Sequence, residues 1–262
     1  MYKTLLVDSP ADHVRRITLN RPDVMNALNT EMGLELREFF RQCDYTEEPD
    51  TRVLIITGAG ERAFCAGGDL KQRQGMSDSD WRHQHEIFED AFGHLRRFPP
   101  PIIAAVNGMA MGGGCEMAVA CDLIVASENA VFAQPEVRLG IMPGAGGTQN
   151  LPRRIGPGRA RDMVFTGRQV KAEEAFQWGL ADRLVPHDTL MDEALALAVT
   201  IAKNGPIAVQ QAKKAINWGL DLSLDAGLML EVAAYNVAIP SEDRHEGVNA
   251  FNEKRPPNFR NR

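Results

Sequence analysis

Two periodicities alternate along the first half of the chain. Val53-Leu54-Ile55-Ile56-Thr57 is a wholly apolar run closed by Gly58, the pattern of a strand covered on both faces. Ile102–Val106 repeats that pattern after the stiff break Pro99-Pro100-Pro101, and residues 123–125 and Val131–Ala133 add two shorter runs. Between these runs the apolar positions follow helical spacing over residues 30–47 and over Asp78–Arg97, with Ser77 as a candidate N-cap. Strands alternating with helices predict an α/β fold. After about Asp188 the alternation stops and four helical stretches follow, punctuated by Gly205-Pro206, Gly219 and Pro240-Ser241. Pro206 suits a first helical turn, and Ser241 before Glu242 and Asp243 suits an N-cap. The expected organisation is a core over residues 1–187 that carries the functional site, followed by a helical region over residues 188–262. No low-complexity linker separates them, so the helical region is expected to dock on the core or on a neighbouring subunit.

Composition changes this picture little, but it excludes several classes. Of 262 residues, 44% are hydrophobic and 24% charged, as in ordinary globular proteins. The net charge of −6 argues against broad binding to nucleic acid or anionic membranes, so any phosphate-bearing ligand requires local cations. No apolar run approaches the roughly 18 residues of a membrane span. The start of the chain runs directly into a strand-like pattern (Leu5, Val7, Val14, Ile17, Leu19), and the expected compartment is the cytoplasm. Cys43, Cys65, Cys115 and Cys121 lack CxxC spacing and read as small buried hydrophobes in a reducing environment. His83 and His85 would point in different directions on a helix, which argues against a metal pair.

The chemistry concentrates in two glycine-rich stretches. Gly58 to Ala63 fits G-x-G-x-x-G/A, but a second glycine cluster, Ala66-Gly67-Gly68-Asp69, stands where a dinucleotide fold needs its helix. No P-loop, G-x-S-x-G elbow or HExxH occurs. Glu116 follows Gly112-Gly113-Gly114-Cys115 at a predicted helix start, and Glu136 follows Pro135 in an apolar stretch that leads to Gly144-Ala145-Gly146-Gly147. Carboxylates beside helix N-termini complement the dipole, and glycines serve tight turns; those roles explain each feature singly. Both glutamates beside bare backbone suggest more. Glycine lets an N–H approach a ligand, and two N–H groups converging on one carbonyl oxygen form an oxyanion hole. Two nearby carboxylates repel, which keeps one protonated near neutral pH. One acid, one base and an oxyanion hole suit proton transfer beside a carbonyl.

These residues resemble the enoyl-CoA hydratase/isomerase (crotonase) family nearly end to end. Asn20-Arg21-Pro22 with Asn26-Ala27-Leu28 is similar to its N-terminal signature, and residues 63–71 are similar to its first oxyanion loop. Residues 102–149 are similar to its diagnostic block, and 251–259 (FNEKRPPNF) to its tail. The resemblance implies a spiral of ββα units with a C-terminal helical trimerisation region, assembled as a trimer or dimer of trimers. It implies an acyl-CoA substrate, with no metal and no separate cofactor, because coenzyme A belongs to the substrate. It further implies that the N–H groups of Gly68 and Gly113 hold the thioester oxygen, and that Gly144 offers its N–H to water. Glu116 and Glu136 would act as base and acid, and glutamate at both positions resembles the hydratase branch. Ala66, Asp69, Leu70, Lys71 and Lys254 fall at positions that resemble the substrate-binding ones, Lys254 acting across a subunit interface. Gly68 departs from the alanine frequent in hydratases. Residues 75–92, with Trp81 and Phe88, resemble the variable acyl-lining segment, although Trp81, Phe88 and Phe92 also recur at core spacing. Acyl length and branching stay open here, with methylglutaconyl-type and aromatic-pathway groups among the choices. So do the alternatives of isomerase, decarboxylase, dehydratase or a non-catalytic, RNA-binding relative.

Overall fold

The computed structural model describes residues 2–45 and 51–262, without the side chains of 43–45; the expected buried role of Cys43 and the helix end at residues 46–47 lie outside them. The strands, in chain order, are β1 (Leu5–Ala11), β2 (Val14–Leu19), β3 (Val53–Gly58), β4 (Ala63–Cys65), β5 (Ile102–Val106), β6 (Met109–Met111), β7 (Leu123–Ser127), β8 (Val131–Ala133), β9 (Val170–Lys171) and β10 (Arg183–Val185). The helices are α1 (Thr30–Tyr45), α2 (Leu70–Arg73), α3 (Asp78–Arg97), α4 (Gly113–Ala120), α5 (Gly147–Ile155), α6 (Pro157–Thr166), α7 (Ala172–Trp178), α8 (Leu190–Ala202), α9 (Pro206–Gly219), α10 (Leu224–Ala238) and α11 (Glu242–Glu253).

The strands form a six-stranded sheet in the order β1-β2-β3-β5-β7-β10 and a four-stranded sheet in the order β4-β6-β8-β9. β3, β5 and β7 run parallel in the first, and β4, β6 and β8 run parallel in the second. The chain therefore climbs by one strand in each sheet per turn and returns through helical segments, the expected spiral of ββα units. No helix follows Gly58 to Ala63; the turn leads straight into β4, which removes the dinucleotide reading.

The apolar runs owe their continuity to cover on both faces. In β5, Ile102, Ala104 and Val106 pack into one buried cluster with α1, α3 and α4, while Ile103 and Ala105 face a second cluster. β3 divides likewise, Leu54 and Ile56 to one side, Val53 and Ile55 to the other. The second cluster is closed by Leu190, Ala194, Ala198 and Ala202 of α8, spaced to give one small-residue stripe. Each buried Ile or Leu contributes about 1.5–3 kcal/mol. α3 begins at Ser77, whose Oγ accepts from Asp80 N at 3.1 Å, and buries Ile87, Phe88, Ala91, Phe92 and Leu95. α11 begins at Ser241, whose Oγ accepts from Arg244 N at 3.1 Å.

Beyond α8 the helices are less covered. Lys213 of α9 pairs with Asp122 at 2.6 Å and donates to Pro100 O at 2.9 Å, which ties that helix to the core. α10 packs on α9 and leaves Leu224, Met229, Val232 and Tyr235 exposed. Among the described residues no helix is long and apolar enough to cross a membrane. Cys65, Cys115 and Cys121 are buried free thiols, as their spacing suggested, and burial pushes the Cys65 thiol up to about 12.

Candidate active site

Both glutamates lie on one cleft of about 930 Å³, between the second sheet and the wall formed by α2 and α3. Glu116 reaches it from α4, which starts where β6 ends. The bend is made by Gly112 at φ +51°, where a Cβ would also lie 2.8 Å from Glu136 Oε1. Behind it Gly114 lets α4 sit directly on β4, since a Cβ there would lie 2.1 Å from Cys65 O.

Glu116 is 3% exposed, and its Oε1 accepts from Ala145 N at 2.7 Å and Gly147 N at 2.8 Å. The Gly144 N–H is directed at the same carboxylate. Burial raises the Glu116 pKa against the pull of these N–H groups and of His85. Glu136 opens a short 3-10 turn, Glu136–Leu139, and is 9% exposed. Burial pushes its carboxyl up to about 7; its own backbone N–H opposes this and the Glu116 charge adds to it.

Gln134, two positions before Glu136, carries no role predicted from sequence. It is fully buried, and a Cβ on Gly147 would lie 3.0 Å from both its amide nitrogen and Glu116 Oε1. It therefore stands between the two carboxylates. With its nitrogen turned to Glu136 it donates to both carboxylate oxygens at 3.1 Å. Turned the other way, its oxygen accepts the proton of the neutral acid. An amide beside an acid in an apolar stretch is the signal that could have found it.

Gly68 and Gly113 line the cleft from loops in mutual contact, a Cβ on Gly67 lying 3.3 Å from Gly113 N. Among the described residues no protein acceptor takes the N–H of either. The Gly68 loop is clamped from the N-terminal signature. Asn26 Nδ2 donates to Ala59 O at 3.0 Å and Ala63 O at 2.9 Å, and Arg21 donates to Ala27 O at 2.6 Å and pairs with Asp69 at 2.9 Å.

Of the sequence-derived site residues, Glu116, Glu136, Gly68, Gly113, Gly144, Ala66 and Leu70 line the cleft. Asp69 does not; its carboxylate caps α2, accepting from Lys71 N and Gln72 N at 3.2 Å while holding Arg21. Lys71 is exposed on α2 outside the lining, and Lys254 ends α11 in an exposed left-handed turn, also outside it. Phe88 and Phe92 belong to the buried core yet touch the cleft, whereas Trp81 is half-buried on its wall. Arg73 and His85 also line it; sequence reasoning names neither as a site residue, although His85 falls within the segment that resembles the acyl lining.

The whole chain finds counterparts among known proteins. A sequence model described as enoyl-CoA hydratase/isomerase matches residues 10–262. A putative enoyl-CoA hydratase/isomerase of Bacillus subtilis is 46% identical over 97% of each chain, and a crotonyl-CoA hydratase of Syntrophomonas wolfei is 40% identical over 92% of each. The crystal structure of an enoyl-CoA hydratase from Bacillus anthracis superposes with a TM-score of 0.96 at 45% identity, covering 99% of this chain and 100% of that one. With a continuous match of sequence and fold, the chain belongs to the enoyl-CoA hydratase/isomerase family.

Proposed function

We propose that the protein is an enoyl-CoA hydratase, adding water reversibly to the 2,3 double bond of a 2-enoyl-CoA to give the 3-hydroxyacyl-CoA. The observation that carries this reading is the pair of buried glutamates on the cleft that also presents the unpartnered N–H groups of Gly68 and Gly113. In the proposed reaction the thioester oxygen sits between those two N–H groups, which hold the negative charge of the enolate. Water lies between the carboxylates beside Gly144. Ionised Glu116 takes its proton as oxygen attacks Cβ, and neutral Glu136 gives a proton to Cα. The chemistry draws on no metal and on no cofactor beyond the coenzyme A of the substrate. Loss of enoyl-thioester absorbance with crotonyl-CoA, and recovery of 3-hydroxybutyryl-CoA, tests the reading; an isomerised or decarboxylated product without water uptake would replace it.

The acid role sets a pH dependence. Glu136 must be protonated, and its carboxyl is raised to about 7. The expected kcat/KM profile therefore declines as pH rises through about 7, and declines at low pH as Glu116 protonates. The same shift acts on stability. A carboxyl raised from 4.5 stabilises the fold below 4.5, and this contribution is lost as pH rises through about 7. Thermal melts of Glu136→Gln against wild type should show the variant gaining relative stability across that window; a constant difference refutes the protonation assignment.

Lys71, next to Leu70 at the cleft edge, and Lys254 are the proposed partners of the coenzyme A phosphates. Because Lys254 lies outside the lining of its own chain's cleft, its contact is proposed across a subunit boundary. Ala66 and Leu70 contact the nucleotide side in this reading, and Asp69 holds the loop.

The proposed assembly is a homotrimer or a dimer of trimers, with residues 188–262 as the assembling region. Support comes from the apolar surface of α9 and α10, where Trp218, Leu220, Leu224, Met229 and Val232 are 56%, 76%, 77%, 74% and 58% exposed, more than a monomer ordinarily leaves uncovered. Sedimentation should give the mass of three or six chains, and the double substitution Met229→Glu, Val232→Glu should shift it toward one. Buried free thiols support the cytoplasm as the compartment.

A further inference from the structure

The cleft wall holds a cation that hydration does not use. Arg73, the last residue of α2, is half-buried and lines the cleft. Its Nε donates to Gln84 Oε1 at 2.8 Å. Gln84 is 2% exposed, and its amide nitrogen donates to Thr30 Oγ1 at 2.8 Å and to Gln72 Oε1 at 3.0 Å. The guanidinium carbon stands 4.5 Å from the Trp81 ring centre and 5.9 Å from that of Phe88. A neutral polar network and two rings therefore fix the orientation of this charge.

What Arg73 lacks is an anion. Among the described residues no carboxylate lies within ion-pair distance of it, and its two terminal nitrogens have no hydrogen-bond partner. Two acids of the neighbouring helix, Glu86 and Glu89, also line the cleft, but their carboxylates turn to histidines of that helix, Glu89 to His85 at 3.2 Å and Glu86 to His83 at 3.6 Å. Burial lowers the pKa of Arg73 from the ordinary arginine value, the mark of a cation short of a counter-charge. Its free edge carries the two-pronged donor geometry that matches a carboxylate.

The glycine that departs from the hydratase pattern makes room for it. A Cβ on Gly68 would lie 3.0 Å from both the carbon and the Nη1 of the guanidinium, so an alanine there would press the cation back. Arg73 thus stands directly beside the loop proposed to hold the thioester oxygen, on the lining of the same cleft.

We infer that Arg73 is a specificity determinant that receives a terminal carboxylate on the acyl chain, so the preferred substrates are coenzyme A monothioesters of short unsaturated dicarboxylic acids. This rests on the enoyl-CoA reading of the cleft. A neutral chain of equal length would leave the cation desolvated and unpaired, which is where the discrimination arises.

The test compares glutaconyl-CoA with 2-hexenoyl-CoA as substrates of the assembled enzyme, and glutaryl-CoA with hexanoyl-CoA as saturated ligands in calorimetry. Coenzyme A is common to all four, so its phosphates cancel from each comparison. Wild type should favour the carboxylated member of each pair by tenfold or more. In Arg73→Met, which keeps the packing on Trp81, the preference should fall about 100-fold, with Arg73→Lys intermediate. A wild-type preference for the apolar chains, or a ratio unmoved by Arg73→Met, overturns the inference. If Arg73→Met does not fold, the wild-type comparison decides alone. Tight glutaryl-CoA binding with no turnover of either enoyl thioester would retain the carboxylate site and reject the hydratase. Turnover without carboxylate preference would do the reverse.

Discussion

Glu116→Gln and Glu136→Gln should each lower kcat for crotonyl-CoA hydration by about 10²–10⁴-fold, the range for loss of a positioned acid or base. Glutamine is close in size, and at position 116 its oxygen still accepts from Ala145 N and Gly147 N, so the loop over residues 144–147 keeps its anchor. The loss is then chemical rather than structural. KM should move little, because in the proposed complex the substrate binds through its thioester oxygen and its coenzyme A. The double variant should be only slightly worse than either single one, since the proposed mechanism has the two groups act on one water in one transition state. Circular dichroism and the assembled mass establish that the variants are folded. Near-normal turnover by either folded variant would remove that glutamate from the mechanism.

Gly113→Pro should cost about 10²–10³-fold in kcat, the effect of deleting one oxyanion donor. Gly113 is the first residue of α4, where proline fits the helix and where the N–H has no helical partner to lose. The substitution therefore removes the donor while leaving the helix intact. Of its three added carbons, Cβ meets the end of the Leu28 side chain at 2.9 Å and Gly67 Cα at 3.8 Å, and Cδ takes the place of the N–H hydrogen. Gly113→Ala is the matched control: it introduces the same contact and keeps the N–H. If alanine and proline are equally impaired, crowding by Leu28 accounts for the result and the donor role falls. If alanine retains most activity and proline does not, the open N–H of residue 113 is the active element rather than the space beside Leu28.

Much of this arrangement is legible in residue order, because its determinants are local. The buried strands announce themselves as unbroken apolar runs, since β3 and β5 each face two separate clusters. Ser77 and Ser241 mark helix starts through side-chain geometry confined to a few residues. Both glutamates stand out because burying a carboxylate in an apolar, glycine-rich setting is costly unless backbone N–H groups or a reaction make use of it. The contacts that residue order hides join distant segments. Nothing near residue 73 tells that its guanidinium lies beside Gly68 and over Trp81, or that Gln84 reaches back to Thr30. Asp69 looks like a ligand residue, yet its partner Arg21 is set by the return of the first strands. Gln134 is close to Glu136 in sequence, but its place between the carboxylates follows from the approach of Gly147. Residues 147–178 form three short helices and the two-residue β9; Pro157 opens α6 and Gly167 and Gly179 close α6 and α7, but the elements are too short for an apolar period to show.

The cleft splits its work between main chain and side chain, and this has a consequence for how such proteins diversify. The proposed donors are the peptide groups of Gly68, in the loop after β4, and of Gly113, at the first turn of α4, whereas Trp81 and Arg82 sit on the open face of a helix whose opposite face is already packed. Substitutions on that open face should leave the reactive end of the cleft untouched and cost little stability. Substrate range can then drift through a series of working intermediates. For the same reason a combinatorial library at these two positions, with His85 and residues 66–68, 112–116 and 144–147 held constant, is the shortest route to a hydratase with a new acyl preference.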